Sequence, residues 1–513
     1  MGEDSLHVGE MFAGVGGFRL GLEGPPSKDW ETEFLKFEET GFKVVWSNQY
    51  EPGEGKQWAS RILEERFGSE GHNPDSIHKI TFPEKGEVSD SIKNSIPNID
   101  LLVGGFPCQD YSVARTRSGE LGIKGEKGKL WTDIERIIKF KRQRPKMILL
   151  ENVPRLLNSP ASARGRNFAV ILNDLLRMDY EVEWRVINAA DYGMPQKRSR
   201  VFIMAYRTPG PSSTKNSING PGRFGLQRKT RGPVSKWVLG KEDSKEDKWG
   251  IGPFANAFPL LGEFQGMAAL IPELEIMDGF KKSPFGNAGY AWKYRYGGKS
   301  PKKQEFRFWT ANVKPNYNGY KKTIRTSVMI QKDEEYYNES YEVKNTELKR
   351  WKYEKGSKRE FRIRKSDLER YPELAELYKK CKTSKSQEMW DNHRSDFESV
   401  LGSGGSYNYD EGAIAFPDSI DKPSRTVVTA EIGKSASRMR HLIKHDDGTY
   451  RTLFPIETER LNMFPDNWTK MNDEKGNQIP DSKRGFLMGN ALVVGIVQRL
   501  REPIRELILR RRC

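Results

Sequence analysis

A rhythm in the first two hundred residues constrains this chain most. Short apolar runs recur at residues 6–12, 43–46, 99–103, 147–150, 183–187 and 201–205. Between some of them the apolar residues switch to helical spacing, as in 131–140 and 167–178. Strands alternating with helices predict an α/β fold with a mostly parallel sheet covered on both faces. At 513 residues the chain exceeds one ordinary core, so more than one domain is expected.

From Arg207 to Asp421 the rhythm stops. This stretch is rich in Lys, Gly, Pro, Asn, Tyr and Trp, and helical periodicity is weak until 346–381. Of the net charge of +16, about +10 falls here. Basic residues alternate with aromatics at 290–296, 306–309 and 351–364. Such runs suit phosphate contact plus base stacking, and they equally suit a solvated, loop-rich insertion. After Pro423 regular patterning returns: 425–429 reads as a strand, 455–463 as a helix opened by proline, and 491–509 as a final helix that Pro503 should kink or split. The three cysteines, Cys108, Cys381 and Cys513, form no C-x-x-C pair, so neither a zinc site nor a disulfide framework is indicated. The absence of an eighteen-residue apolar run or a signal-peptide layout at MGEDSLHVGE gives the expectation of a cytoplasmic protein with no membrane span.

Four short motifs carry possible chemistry. Glu10 to Phe18 places Gly14, Gly16 and Gly17 at a strand-to-helix turn, where a ligand can approach the backbone; a tight turn with no ligand reads the same way. The dinucleotide fingerprint would need a third glycine where Arg19 stands. Gly104-Gly105-Phe106-Pro107-Cys108-Gln109 puts a thiol in a stiff loop after a strand, as a nucleophile or as a buried structural cysteine. Glu151 ends another apolar run, as a proton donor or as an ordinary loop carboxylate. Gln196, Arg198 and Arg200 precede the last run and in a strand would share one face, as anion or carbonyl binders or as a solvated basic edge.

In order and wording these motifs resemble the bacterial restriction–modification type of DNA cytosine-5 methyltransferase. The resemblance extends to the end of the chain, through Arg451 to Pro455, Arg460-Leu461, Phe464-Pro465 and Gly489-Asn490-Ala491-Leu492-Val493, and covers roughly residues 6–206 and 423–509. It implies a Rossmann-like S-adenosylmethionine-dependent core in residues 1–206 and 423–513, with an irregular target-recognition domain inserted at 207–422.

The resemblance also implies roles. Cys108 would attack carbon 6 of a cytosine flipped from duplex DNA, and Glu151 would protonate or hydrogen-bond ring nitrogen 3. Arg198 and Arg200 would support the catalytic loop and hold the base oxygen. Phe12, Val15, Gly17, Gln49, Tyr50, Asp75, Ile77, Pro107, Leu130, Asn490 and Leu492 would form the S-adenosylmethionine pocket, which releases S-adenosylhomocysteine; no metal is implied. Gln49 stands where the family usually has an acid for the ribose hydroxyls, and Ser76 separates Asp75 from Ile77 where the family has an adjacent pair. A restriction endonuclease acting on the same site is a further implied partner. Two other readings share the same core: a catalytically inactive DNA-binding paralogue and a tRNA cytosine-5 methyltransferase. Intact Cys108, Glu151, Arg198 and Arg200 argue against the first, and the long inserted region argues against the second.

Overall fold

A computed structural model describes residues 5–81, 90–106, 130–141, 143–207, 267–270, 277, 279–296, 305–313, 323–331, 338–384, 386–400, 406–445 and 447–509. The first compact unit comprises residues 1–323, 462–478 and 491–513; the second comprises 324–461 and 479–490. Residues 207–422 therefore contribute to both units.

The first unit is built on one sheet. Its strands are β1 (Leu6–Met11), β2 (Phe42–Asn48), β3 (His72–Asn73), β4 (Leu101–Gly105), β5 (Met147–Asn152), β6 (Tyr180–Asn188), β7 (Ser199–Arg207), β8 (Met267–Leu270), β9 (Ala288–Tyr296) and β10 (Glu305–Val313). Their spatial order is 3-2-1-4-5-7-6-9-10-8. Strands β1 to β5 are mutually parallel; β7 is antiparallel to both β5 and β6, so β6 runs with the first five. The α/β expectation therefore holds across the seven strands of the N-terminal part. The central strands explain why their sequence is continuously apolar: Leu101 to Val103 and Met147 to Leu150 are fully buried, with no solvent-facing side.

Helices α1 (Gly17–Leu22), α2 (Trp58–Phe67), α3 (Ile77–Thr81), α4 (Asp90–Ser95), α5 (Leu130–Phe140) and α6 (Arg166–Arg177) connect the strands. In α5 and α6 one stripe is apolar at helical spacing. Trp131, Ile134, Ile137 and Ile138 of α5, and Phe168, Ile171, Leu172, Leu175 and Leu176 of α6, join one core with Leu102, Ile148 and Leu150. Truncating one such leucine to alanine costs about 2–5 kcal/mol.

The aromatic-and-basic runs at 290–296 and 306–309 lie within β9 and β10, whose antiparallel pairs extend the sheet beyond β6. Their alternation is itself strand periodicity. Glu183 on β6 accepts hydrogen bonds from Tyr206 on β7 (3.1 Å) and Tyr290 on β9 (3.3 Å), and pairs with Arg185 at 3.3 Å. These groups satisfy one another in the interior and tie β9 to the older part of the sheet.

The helix Val494–Leu509 packs on α1 so closely that a side chain at Gly21 would meet Val497 at 2.5 Å. It runs through Pro503 without splitting, contrary to expectation. Burial of Val497, Leu500, Ile504 and Ile508 outweighs the one backbone hydrogen bond that proline removes.

The second unit centres on two features. Phe361, Cys381, Trp390 and Phe397 form a small aromatic core, and Arg451 and Glu457 make a buried ion pair at 2.6 Å. The strand expected at 425–429 is irregular. Its backbone lies against the helix Asp481–Asn490 instead, where a Cβ at Gly489 would come within 2.2 Å of the Thr429 nitrogen. Packing backbone against backbone leaves that segment no neighbour for a ladder. Among the described residues, no helix is long and apolar enough to cross a membrane.

Candidate active site

The chain runs outward from β1 to β2 and β3, then returns to place β4 on the other side of β1. In an open α/β sheet such a reversal opens a crevice at the carboxyl ends of the two strands, here β1 and β4.

The turn after β1 lines one wall. Phe12 (φ 54°), Gly14 (φ 57°) and Gly16 (φ 84°) all adopt left-handed backbone; for Phe12 this is a strained state of the kind concentrated at functional sites. A Cβ at Gly14 would meet nothing within 4 Å, so that side of the turn is open. The other side is closed, since a Cβ at Gly17 would press on Leu492 at 3.1 Å. Val15 is buried, and its carbonyl accepts a hydrogen bond from the Trp468 indole at 2.8 Å. Trp468 is itself fully buried, with the Trp30 and Phe67 rings meeting it edge-on.

The end of β2 is clamped to this turn. The Ala13 N–H donates to the Asn48 carbonyl at 3.1 Å, and the Gly14 N–H donates to Gln49 Oε1 at 2.7 Å. Asn48 Nδ2 donates to the carbonyls of Asn73 and Asp75. His72 lies between Ser47 (2.8 Å) and Ser60 (2.6 Å), and burial lowers its pKa to about 4, leaving a neutral ring that bridges two hydroxyls. Tyr50 is 40% exposed, Asp75 is exposed and Ile77 is buried.

Strand β4 forms the other wall. Gly104 is required by close approach, because a Cβ there would sit 2.8 Å from the Met11 carbonyl oxygen. Gly105 pairs with Glu151 in the register of β4 and β5. The Phe106 carbonyl, two residues before Cys108, accepts a hydrogen bond from Asn152 Nδ2 at 3.2 Å. Pro107 and Cys108 lie outside the described residues, and Leu130 is half-buried at the start of α5.

Glu151 is the carboxylate at this wall. Arg200 Nε approaches its Oε1 at 2.9 Å, and its side chain is 13% exposed. Burial raises its pKa above the usual carboxylate value, against the opposing charges of Arg200 and Arg198. Such a group holds a proton to higher pH than a solvated glutamate. Gln196, Arg198 and Arg200 do not share a strand face as expected, because β7 begins only at Ser199. Gln196 and Arg198 occupy the bend before it, where Gln196 Nε2 donates to Asn462 Oδ1 at 2.9 Å. The structure thus brings Glu151, Arg198 and Arg200 together by a turn. Asn490 is exposed at the end of its helix in the second unit.

Comparison with known proteins accords with this geometry. The profile of the C-5 cytosine-specific DNA methylases matches residues 6–231 and 302–506. This chain belongs to that family. As a C-5 cytosine DNA methylase it is similar over nearly its whole length to the Type II methyltransferase M.Sau3AI of Staphylococcus aureus, with 33% identity over 511 residues, 98% of this chain and 96% of that one. The Type II methyltransferase M.HhaI of Haemophilus parahaemolyticus is 31% identical over 198 residues, 39% of this chain and 48% of that one. Among solved structures, the S. pombe Dnmt2 methyltransferase matches with a TM-score of 0.47 and 12% identity over 99% of this chain and 100% of that one.

Sequence reasoning gave no role to several residues that hold the methylase site together. Trp468 has no local signal, since its hydrogen-bond partner Val15 is 453 positions away. Asn462 meets Gln196 from 266 positions away. Asn152 stood inside a quoted motif, and its hydrogen bond to the β4 exit explains its place there.

Proposed function

We propose that this DNA methylase is the modification enzyme of a Type II restriction–modification system, and that it acts through a covalent adduct between Cys108 and carbon 6 of a flipped cytosine. One observation carries the catalytic assignment: the buried, proton-retaining Glu151 pairs with Arg200 at the strand end beside the β4 exit, across the crevice from the glycine turn. The naming of M.Sau3AI and M.HhaI as Type II methyltransferases supports the restriction–modification reading.

In this mechanism the Cys108 thiolate adds to carbon 6. Glu151 gives or shares its proton with ring nitrogen 3, so the ring accepts the electron pair and carbon 5 becomes nucleophilic. Arg200 fixes the Glu151 carboxyl, and Arg198 and Arg200 hold the base oxygen. The cytosine leaves the duplex first, because neither carbon can be reached within the stack.

The crevice fits S-adenosylmethionine. The open side of Gly14 leaves room for a ligand beside backbone, and the exposed Tyr50 ring offers a face for adenine. Phe12, Val15, Gly17, Gln49, Tyr50, Asp75, Ile77, Pro107, Leu130, Asn490 and Leu492 are the residues assigned to it. When bound, this cofactor supplies an activated methyl group on a sulfonium.

Residues 207–422 are assigned to target recognition, with 1–206 and 423–513 as the catalytic part. The enzyme would work in the cytosol on duplex DNA, with a restriction endonuclease of the same specificity as its partner.

The test is transfer of a labelled methyl group to duplex DNA. Wild type should label DNA, Cys108→Ser should not while still binding it, and target duplex carrying 5-fluorocytosine should become covalently attached to wild type. Turnover by the serine variant, or no adduct on cognate DNA, refutes the assigned nucleophile.

A further inference from the structure

We propose that Gln49 is a positioning residue with a divided side chain: its oxygen latches the glycine turn, and its amide N–H2 is the group left to meet the sugar hydroxyls of the cofactor. This inference rests on the cofactor site proposed above.

The latch is visible in the geometry. Gln49 Oε1 accepts the Gly14 N–H at 2.7 Å, and the residue is only 8% exposed. Its own backbone N–H donates to the Asn73 carbonyl at 3.2 Å, so the residue is held from both sides. Gly14 is in left-handed backbone with open space where a Cβ would be. A turn of that shape exposes its amide unless an acceptor is supplied, and Gln49 supplies it. Among the described residues, Gln49 Nε2 has no hydrogen-bond partner.

The consequence is a reversal of polarity. At the end of the second strand of a nucleotide-binding sheet, the usual side chain is a carboxylate that accepts hydrogen bonds from ribose hydroxyls. A carboxylate here would have one oxygen for Gly14 and a second for the sugar. Glutamine has a single oxygen, and Gly14 has taken it. What remains can only donate, so the hydroxyls must act as acceptors in a neutral contact, weaker than a charge-assisted one.

The experiment is calorimetric binding of S-adenosylhomocysteine to the full chain without DNA, so that no turnover enters. The wild type, Gln49→Ala and Gln49→Glu are each titrated with this ligand and with its 2′,3′-dideoxyribose counterpart. Gln49→Ala should weaken binding of the natural ligand about tenfold, and Gln49→Glu should tighten it severalfold. Removing the hydroxyls should cost the wild type affinity but cost Gln49→Ala little, since the group that reads them is already gone. Equal dissociation constants for the three proteins overturn the proposal. So does an alanine variant that weakens both ligands by the same factor, because the side chain would then only shape the turn. A wild type that binds no S-adenosylhomocysteine overturns the cofactor site itself, and this inference with it.

Discussion

Glu10 offers a direct test of how the interior beside the glycine turn is built. It lies in β1 with no exposed surface, and neither of its carboxylate oxygens has a hydrogen-bond partner among the described residues. Burial raises its pKa from 4.5 to about 8; the charge of Arg19 and the backbone amides of Arg19 and Phe18 oppose the rise without cancelling it. In the unfolded chain the group titrates near 4.5, so between pH 4.5 and 8 the folded state holds a proton that the unfolded state has lost. Stability from this group is therefore complete below pH 4.5, declines by roughly 1.4 kcal/mol per pH unit, and levels off above pH 8. The total is on the order of 5 kcal/mol as an upper bound.

Gln in place of Glu10 has the same shape and never ionises. Glu10→Gln should match wild type near pH 5 and exceed it increasingly towards pH 8.5. The assay is the melting temperature of both proteins from pH 5 to 9 in buffers of equal ionic strength. Their difference cancels every other titrating group, and for a unit of this size the gap should reach roughly 5 °C. A gap that stays constant with pH, or that closes as pH rises, refutes the assignment of a buried neutral acid.

Two further outcomes follow from the site. Glu151→Gln should lower kcat for methyl transfer by about 10²–10⁴-fold and flatten the pH profile. In the wild type the rate should fall as pH rises through the raised Glu151 pKa, because the protonated form is the working one; a pH–rate profile of both proteins checks this. Trp468→Phe leaves the Val15 carbonyl without its donor, a loss of about 1–3 kcal/mol, and should lower the melting temperature and weaken S-adenosylhomocysteine binding together; unchanged binding would show that the turn does not depend on this brace.

Much of this protein was legible without coordinates, for reasons of locality. The six apolar runs lie on β1, β2, β4, β5, β6 and β7, because strand and helix periodicities are written in neighbouring residues. The double glycine at Gly104-Gly105 and the carboxylate at Glu151 could be placed at strand ends, because apolar runs stop there. The misread pieces were those where tertiary contacts outweigh local pattern. The bend at Gln196 to Arg198 is held by Asn462, the segment 425–429 packs on Gly489, and the helix around Pro503 survives because its apolar face is buried on the sheet side of the first unit.

The sequence by itself determined the class of chemistry: a cysteine, an acid and two arginines in motifs whose order specifies cytosine methylation. Only the tertiary structure decided the state of those groups. Whether Glu151 keeps a proton depends on burial and on Arg200, and whether Gln49 can accept a hydrogen bond depends on Gly14 having already used its oxygen. Protonation and hydrogen-bond capacity are set by what surrounds a side chain in space, and those neighbours come from strands and turns far apart in the chain.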